Sequence, residues 1–381
     1  NYHTSKSNST HSSLSLSLSM GRITKLRDLI GVIKDKVSLS KAALLSKPNT
    51  LSLHLAVLRS TTHSPSIPPD DKHLAALLSL GDSSRATASA LVDSLMDRLH
   101  RTTDSSVALK CLLTIHHIIK RGPFILQDQL SIFPASGGRN YLTLSAFRDG
   151  ATATTWALST WVRWYARYLE TLLSNSRVLG FFLCSSSCTV EKDKQDEGVS
   201  SFMNVDLIRD VDSLVGVMEE ICKVPDYSLH VDGNKLLYEI MGLVGGDFLA
   251  AVNEVSIRLS EFKERLNCLS FGESVELMCV LKRLEDCKER LLIGLFSIKK
   301  ASNETLWGLV GELKDRVGMV KVYRDEGKLA NVGRRERASE SARFGERVLK
   351  SSDSVPFSSA RFESNKLSFM VRESESHELI I

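Results

Sequence analysis

The sequence predicts an all-α protein, a superhelical solenoid of stacked α-helices with a disordered C-terminal tail. Three observations predict it. Apolar residues recur at steps of three and four along most of the chain, the period that keeps one side of a helix together. No segment shows the apolar–polar alternation of a half-buried strand. Residues 104–122 form a helix apolar nearly all round, with Val107, Leu109, Leu112, Leu113, Ile115, Ile118 and Ile119 covering its circumference. A helix of that kind must be enclosed by others, so it is read as the central post of the stack. Asp104 or Ser105 caps its start, and Gly122 is expected to end it in the left-handed conformation behind Lys120 and Arg121.

The other elements follow in order. Ile23, Leu26, Ile30, Ile33 and Val37 define one face of a first helix, with Arg22, Lys25, Arg27, Lys34 and Lys36 around it. An amphipathic segment with a basic polar face can lie in a bilayer surface or serve as a core helix of the stack, and both readings stand. Leu51–Leu58 continues as a second helix. Pro65, Pro68 and Pro69 then force a loop over 59–71, because proline cannot sit inside a helix. Lys72–Leu78 is a short third helix stopped near Gly81, and Asp82-Ser83-Ser84 caps a fourth with Ala88, Leu91, Val92, Leu95 and Leu99 inward. Past the central post come a short helix over Pro123–Leu130 and a strong amphipathic one over Trp156–Leu173, whose Trp161, Trp164, Tyr165 and Tyr168 read as core. The polar stretch Ser185–Ser200 reads as a boundary or loop. Helical periodicity resumes at Val205–Met218, then at Leu236–Val252, Val255–Leu269, Ser274–Phe296 and Leu306–Val322.

These patterns divide the chain into a disordered, Ser-rich leader (1–19), an N-terminal solenoid (20–184), a C-terminal helical extension (200–328) and a disordered tail (329–381). The tail is rich in Ser, Arg and Glu, and carries too little apolar surface to offset the entropy of ordering. Met20-Gly21-Arg22 reads as the true start, with the leader as upstream sequence. Lys25 stands where an N-myristoylation motif at Gly21 wants Ser or Thr.

Composition narrows the function classes. Of 381 residues, 43% are hydrophobic and 25% charged, which excludes wholesale disorder. A net charge of +4 is too small to imply a nucleic-acid binder. No run of about 18 apolar residues marks a membrane span. The seven cysteines are scattered, as suits reduced thiols rather than a disulfide framework. Cys184 and Cys188 are close together but have no second Cys/His pair nearby, so no metal site is expected. Hydrolase, kinase, metalloprotease and dinucleotide motifs are absent. Gly137-Gly138-Arg139 is not followed by the Lys-Ser/Thr of a phosphate loop and reads as a turn. His116 and His117 point about 100° apart on a helix, so they cannot share a metal. The expected arrangement is one packed histidine and one facing a loop. No catalytic residue and no cofactor are assigned.

Cations at the second loop are the better lead. Arg59 ends one helix while Lys72 and His73 begin the next, and the proline-rich loop returns the chain between them. Facing one another across a shallow surface, these groups suit a polyphosphate headgroup, through charge-assisted hydrogen bonds and the positive end of a helix. On spacing alone, solvated loop charges are the better reading.

The residues Arg59-Ser60-Thr61-Thr62-His63 followed by Lys72-His73-Leu74 resemble the inositide-binding signature of the ANTH domain, the amino-terminal module of clathrin assembly proteins. Further stretches in the same order strengthen the likeness: Ala108-Leu109-Lys110 with Thr114–His117, Asn140–Phe147, and Trp161–Leu169. The resemblance is clear from Met20 to about Phe182, looser to about Val322, and strongest to the plant members.

It implies an ENTH/ANTH/VHS-like helical superhelix. It also implies phosphatidylinositol 4,5-bisphosphate binding at the membrane through Arg59, Lys72 and His73, with Lys25, Arg27, Lys34 and Lys36 as auxiliary contacts. The family further implies clathrin, adaptor proteins and vesicle SNAREs as partners, coated pits and vesicles as the place of action, and the Golgi as a second one. The chain departs from the pattern at Asp70 and Asp71, where the family often has lysines, and its loop is one residue longer. Each swapped charge opposes phosphate binding by about 1 kcal/mol. Its tail has no Asn-Pro-Phe, only Val355-Pro356-Phe357, and no Asp-Leu-Leu or leucine-rich clathrin box. The expected function is a non-enzymatic endocytic adaptor, and the alternative a cytosolic helical scaffold for trafficking proteins with weakened lipid and clathrin binding.

Overall fold

The computed structural model describes residues 8–133, 142–183, 185, 198–225, 233–293 and 304–318. The chain divides into two units, Asn1–Arg324 and Asp325–Ile381; the second, with the expected tail, lies outside the described residues. The expected all-α architecture is what is found: the described residues hold eleven α-helices and no strand. They are α1 (Asn8–Leu45), α2 (Pro48–Ser60), α3 (Asp71–Gly81), α4 (Arg85–Arg101), α5 (Ser105–Arg121), α6 (Phe124–Ser131), α7 (Ala153–Leu179), α8 (Asn204–Ile221), α9 (Lys235–Arg265), α10 (Phe271–Ile293) and α11 (304–318).

Caps set most of the starts. Asp70 receives the Lys72 amide at the head of α3, and Ser84 receives that of Thr87 in α4. The Asp104 carboxylate accepts from Ser106 and Val107 to open α5, while Thr152 and Thr155 cap each other's backbone at α7. Gly180, at φ 82°, ends α7 in the left-handed conformation.

α5 is the central post that its composition predicts. Residues 105 to 119 are all buried, between α4, α7 and α9. Successive helices stack on their neighbours, α2 on α3 and α4, α7 on α5 and α8, and α8 on α9 and α10. One hydrophobic cluster extends from Leu53 to Val317. It therefore passes the stretch 185–200, where a boundary is expected and of which 186–197 lie outside the described residues. The α7 aromatics are core, as expected: Trp161, Trp164, Tyr165 and Tyr168 are buried, and the Trp164 indole N–H donates to the Glu220 carbonyl at 3.0 Å.

Four details differ from the sequence reading. α1 runs unbroken from Asn8 past Met20, so residues 8–19 are helical where a disordered leader is expected; no proline interrupts the helix, and Gly21 weakens it without ending it. The helices expected at Leu236–Val252 and Val255–Leu269 are one helix, α9, because nothing at Asn253-Glu254 breaks the backbone ladder. Gly122 is extended rather than left-handed, at φ −68° and ψ 151°. Pro123 follows it, and the residue before a proline is driven out of the helical region. Glycine is required there for closeness instead, since a Cβ would lie 2.4 Å from the Ile118 carbonyl oxygen.

The fourth concerns α1. Leu26, Leu29, Ile30, Ile33 and Val37 are exposed, Ile30 least at 45% and Val37 most at 60%, so the core-helix reading of this face does not hold. With its 3₁₀ extension to Cys268, α9 is long and apolar enough to cross a membrane, but only by length and composition. It buries Phe248, Val255 and Leu259 together with Asp247 and Arg258, and so belongs to the core.

Candidate functional site

The corner between α2 and α3 is built by a loop that is held from several sides. At the end of α2, Ser60 Oγ donates back to the Ala56 carbonyl at 2.9 Å and Thr61 Oγ1 to that of Val57 at 2.6 Å. From α4, Arg98 donates to the Thr61 carbonyl at 3.1 Å. From α5, Lys110 Nζ reaches four oxygens: the Thr62 carbonyl and hydroxyl, both at 3.0 Å, and the Ser64 carbonyl and hydroxyl at 2.8 and 2.9 Å. Asp35 of α1 accepts the His63 amide at 2.9 Å and pairs with its ring nitrogen at 2.6 Å. The amide of Leu236, at the head of α9, donates to the Ser66 carbonyl at 3.1 Å. Ser66 itself sits at φ 61°, an uncommon conformation for a residue with a Cβ and one that this tethering holds in place.

Burial pushes the Lys110 ammonium down to about 8, against the opposing pull of Asp35 and Asp104. Asp35 moves the other way. Burial alone would raise its carboxyl, but the hydrogen bonds and charge of His63 outweigh that and hold it below the usual carboxylate range. Within Arg59-Ser60-Thr61-Thr62-His63, therefore, four residues shape the corner and Arg59 alone is exposed.

Arg59 and His73 line one shallow groove of about 400 Å³ between α2 and α3, floored by Leu55, Ala56, Ala76 and Leu80. Lys72 stands exposed on the first turn of α3, outside that lining. No described residue pairs with the side-chain nitrogens of Arg59, Lys72 or His73. The two carboxylates that depart from the family pattern both have structural work. Asp70 caps α3, with 2.8 Å to the Lys72 amide, and Asp71 lies 3.4 Å from Arg121. Arg121 is the cation that sequence reasoning missed. Its only signal is its place at the end of α5, and the fold alone sets that end beside α3.

The auxiliary cations of α1 are partly described. Lys34 and Lys36 are exposed, and Lys34 lines a cleft together with Leu26 and Ile30 of the same helix and with His63, Asp104 and Asp149; the side chains of Lys25 and Arg27 lie outside the described residues. At about 100° per residue round a helix, Leu29, Ile30, Ile33 and Val37 fall within about 60° of Leu26. By the same register Lys34 and Lys36 lie about 80° to either side of that stripe, and Asp35 lies opposite it. Asp35 and Gly31 face the domain: a Cβ on Gly31 would lie 3.0 Å from that of His63. α1 is thus docked by its polar back and presents an exposed apolar stripe flanked by cations, one edge of which, at Leu26 and Ile30, borders a cleft against the domain.

The histidine pair is structural. His116 is buried, 2.8 Å from the Tyr165 hydroxyl and 2.7 Å from Asp247. His117 meets Glu239 of α9 at 2.8 Å, not the loop that was expected, because α9 runs alongside α5. No cluster of His, Cys, Asp or Glu able to hold a metal occurs among the described residues, while Cys184, Cys188 and Gly137-Gly138 lie outside them.

Residues 52–236, which include this corner, match the ANTH domain family. The chain is 55% identical over 350 residues to the Arabidopsis thaliana protein named "Putative clathrin assembly protein At4g40080", covering 90% of this chain and 96% of that one. "Putative clathrin assembly protein At5g10410" is 35% identical over 295 residues, or 75% of this chain and 84% of its own length. "Putative clathrin assembly protein At5g65370" is 32% identical over 306 residues, 76% and 99% of the two chains. All three come from the same plant. A likeness that spans most of the length of such relatives makes this chain a member of the ANTH-domain clathrin assembly proteins.

Proposed function

We propose that the chain is a non-enzymatic endocytic adaptor that binds phosphatidylinositol 4,5-bisphosphate on the cytoplasmic face of the plasma membrane and links it to clathrin-coat assembly. The observation that carries this reading is the α2–α3 corner: two exposed cations, Arg59 and Lys72, and the exposed His73, none paired with a described residue, at the ends of two helices joined by a loop that four other helices hold. A preformed cation set spends little entropy on ordering when it takes a multiply charged headgroup. Arg59 and His73 supply donors from two sides of the groove, Lys72 adds charge at its rim, and the start of α3 adds the positive end of a helix. The exposed stripe of α1 supplies the second contact, an apolar face at acyl depth with Lys34 and Lys36 at the level of the phosphates. Coated pits and vesicles are then the place of action, and clathrin and adaptor proteins the partners.

One observation favours a second reading. Asp70 and Asp71 place two carboxylates at the same corner, which weakens any anion contact there. On this reading the chain is a cytosolic scaffold for trafficking proteins such as vesicle SNAREs.

Co-sedimentation of the full chain with vesicles containing phosphatidylinositol 4,5-bisphosphate separates the two. At about 1 kcal/mol per cation near an anionic surface, Arg59→Ala/Lys72→Ala is expected to lower apparent affinity by roughly tenfold or more. Binding that is unchanged in the double variant removes the corner as the site. No binding by the wild type leaves the scaffold.

A further inference from the structure

A second cation-rich groove lies on the other flank of α2, walled by α1, α2 and α4. Its volume is about 600 Å³, larger than the α2–α3 groove. The two share no lining residue: His54, Val57 and Leu58 of α2 face the larger one, whereas Leu55, Ala56 and Arg59 face the smaller. Four cations line the larger groove from three directions, Lys41 on α1, Lys47 at the α1–α2 junction, and Arg98 and Arg101 one turn apart on α4. One carboxylate opposes them, Asp97, 2.9 Å from Arg101 on the exposed surface. Lys41 and Lys47 are exposed and pair with no described residue. Hydroxyls of Ser38, Ser94 and Thr102 add neutral donors, while Leu45, Val57 and Leu58 supply an apolar wall.

We infer that this groove binds a polyphosphorylated ring, either as a phosphoinositide headgroup or as a soluble inositol polyphosphate. An excess of three positive charges in one concavity repels itself unless an anion or salt relieves it, and concave walls concentrate that field. Cations arriving from three elements surround a compact multivalent anion better than an extended acidic peptide, which needs its charges met along a line. Hydroxyl donors match phosphate and ring oxygens, and the apolar wall matches the C–H edge of a ring. Arg98 is already engaged with the Thr61 carbonyl, so it serves as wall and field, leaving Lys41, Lys47 and Arg101 as the contacting groups. The inference uses none of the corner's proposed headgroup contacts, Arg59, Lys72 and His73; the two sites share only Arg98, which lines this groove and holds the corner's loop.

The test titrates the full chain calorimetrically with inositol 1,4,5-trisphosphate and sediments it with vesicles carrying phosphatidylinositol 4,5-bisphosphate. Wild type is compared with Lys41→Ala/Lys47→Ala/Arg101→Ala and, separately, with Arg59→Ala/Lys72→Ala. All three substituted groove side chains are exposed, so thermal unfolding followed by circular dichroism is expected to match wild type. The triple variant is expected to lose about tenfold or more in affinity for the trisphosphate, from three charge-assisted contacts, while Arg59→Ala/Lys72→Ala keeps that binding event. A parallel loss on vesicles assigns the groove to lipid headgroups; a loss confined to the soluble probe assigns it to free polyphosphate. Wild-type affinity of the triple variant for both probes overturns the inference. So does binding of a poly-glutamate peptide by wild-type protein that takes neither polyphosphate probe. Failure of the α2–α3 corner appears in the other variant alone.

Discussion

Lys110 is an ammonium removed from water with no carboxylate in direct contact, and the four oxygens of Thr62 and Ser64 around Nζ are what make it tolerable. Lys110→Met leaves those oxygens without their donor, and is expected to cost about 2 kcal/mol in denaturant unfolding. The pH dependence has a definite sign. The folded pKa, about 8, lies below the ordinary 10.5, so the unfolded chain holds the proton more tightly. Wild-type stability should therefore rise relative to Lys110→Met between about pH 8 and 10.5, and a gap that stays flat across that window would contradict the assignment. Asp247 runs the opposite way. Burial would raise its carboxyl, but the charge and hydrogen bond of His116, and then Lys120, hold it below the usual range. Its stabilisation is present above the ordinary 3.8 and fades as pH falls through the folded value. Asp247→Ala strands His116, Tyr168 and Lys120, and should cost about 3–5 kcal/mol at neutral pH, measured the same way. The sequence singles out the histidine pair but not Asp247. The partner stands 131 residues away, and only the packing of α9 on α5 joins them.

Helices were legible as elements because period and caps are local. Asp104, Ser84 and Asp70 act within three residues of themselves, and each is readable from its neighbours. What a helix buries is not local. The stripe of α1 has the period of a core face, and only the contacts of Gly31 and Asp35 with His63 decide that its other side docks. Gly122 is a milder case, correctly read as a stop but for the wrong reason. Gly122→Ala would set a Cβ 2.4 Å from the Ile118 oxygen, backbone against backbone, so the end of α5 must shift. A loss of about 2 kcal/mol in thermal or denaturant unfolding is expected, where a merely left-handed glycine would lose about 1. For α1 the expected signature is a loss of binding without a loss of fold. Ile30→Glu/Ile33→Glu puts two carboxylates on an already exposed stripe, so the melting temperature should hold while vesicle binding falls by at least about tenfold. A large drop in melting temperature would mean that the stripe is covered in solution.

At the scale of the whole molecule, a net charge of +4 says little, because the charge that the proposed membrane contacts use is local. The apolar stripe of α1 and the cations of the α2–α3 corner are mechanically joined, since Asp35 on the back of α1 grips His63 in the corner's own loop. Once one contact has formed, the other is already near the same bilayer, and its effective concentration becomes a property of the molecule rather than of the solution. The two contacts also differ in physical character. Headgroup contacts weaken with salt, whereas burial of the stripe does not. Sedimentation at about 0.1 and 0.5 M salt can therefore take binding apart, as the Debye length shrinks from about 10 Å to about 4 Å. Arg59→Ala/Lys72→Ala should leave a weak residue of binding that hardly responds to salt. Ile30→Glu/Ile33→Glu should leave a weak residue that disappears at the higher salt. Uncoupling the two with Asp35→Ala, which keeps every proposed lipid-contacting side chain, should lower vesicle affinity by weakening the link alone. If Asp35→Ala binds as wild type does, the stripe and the corner act separately, and the ion pair between α1 and the loop is there only for stability.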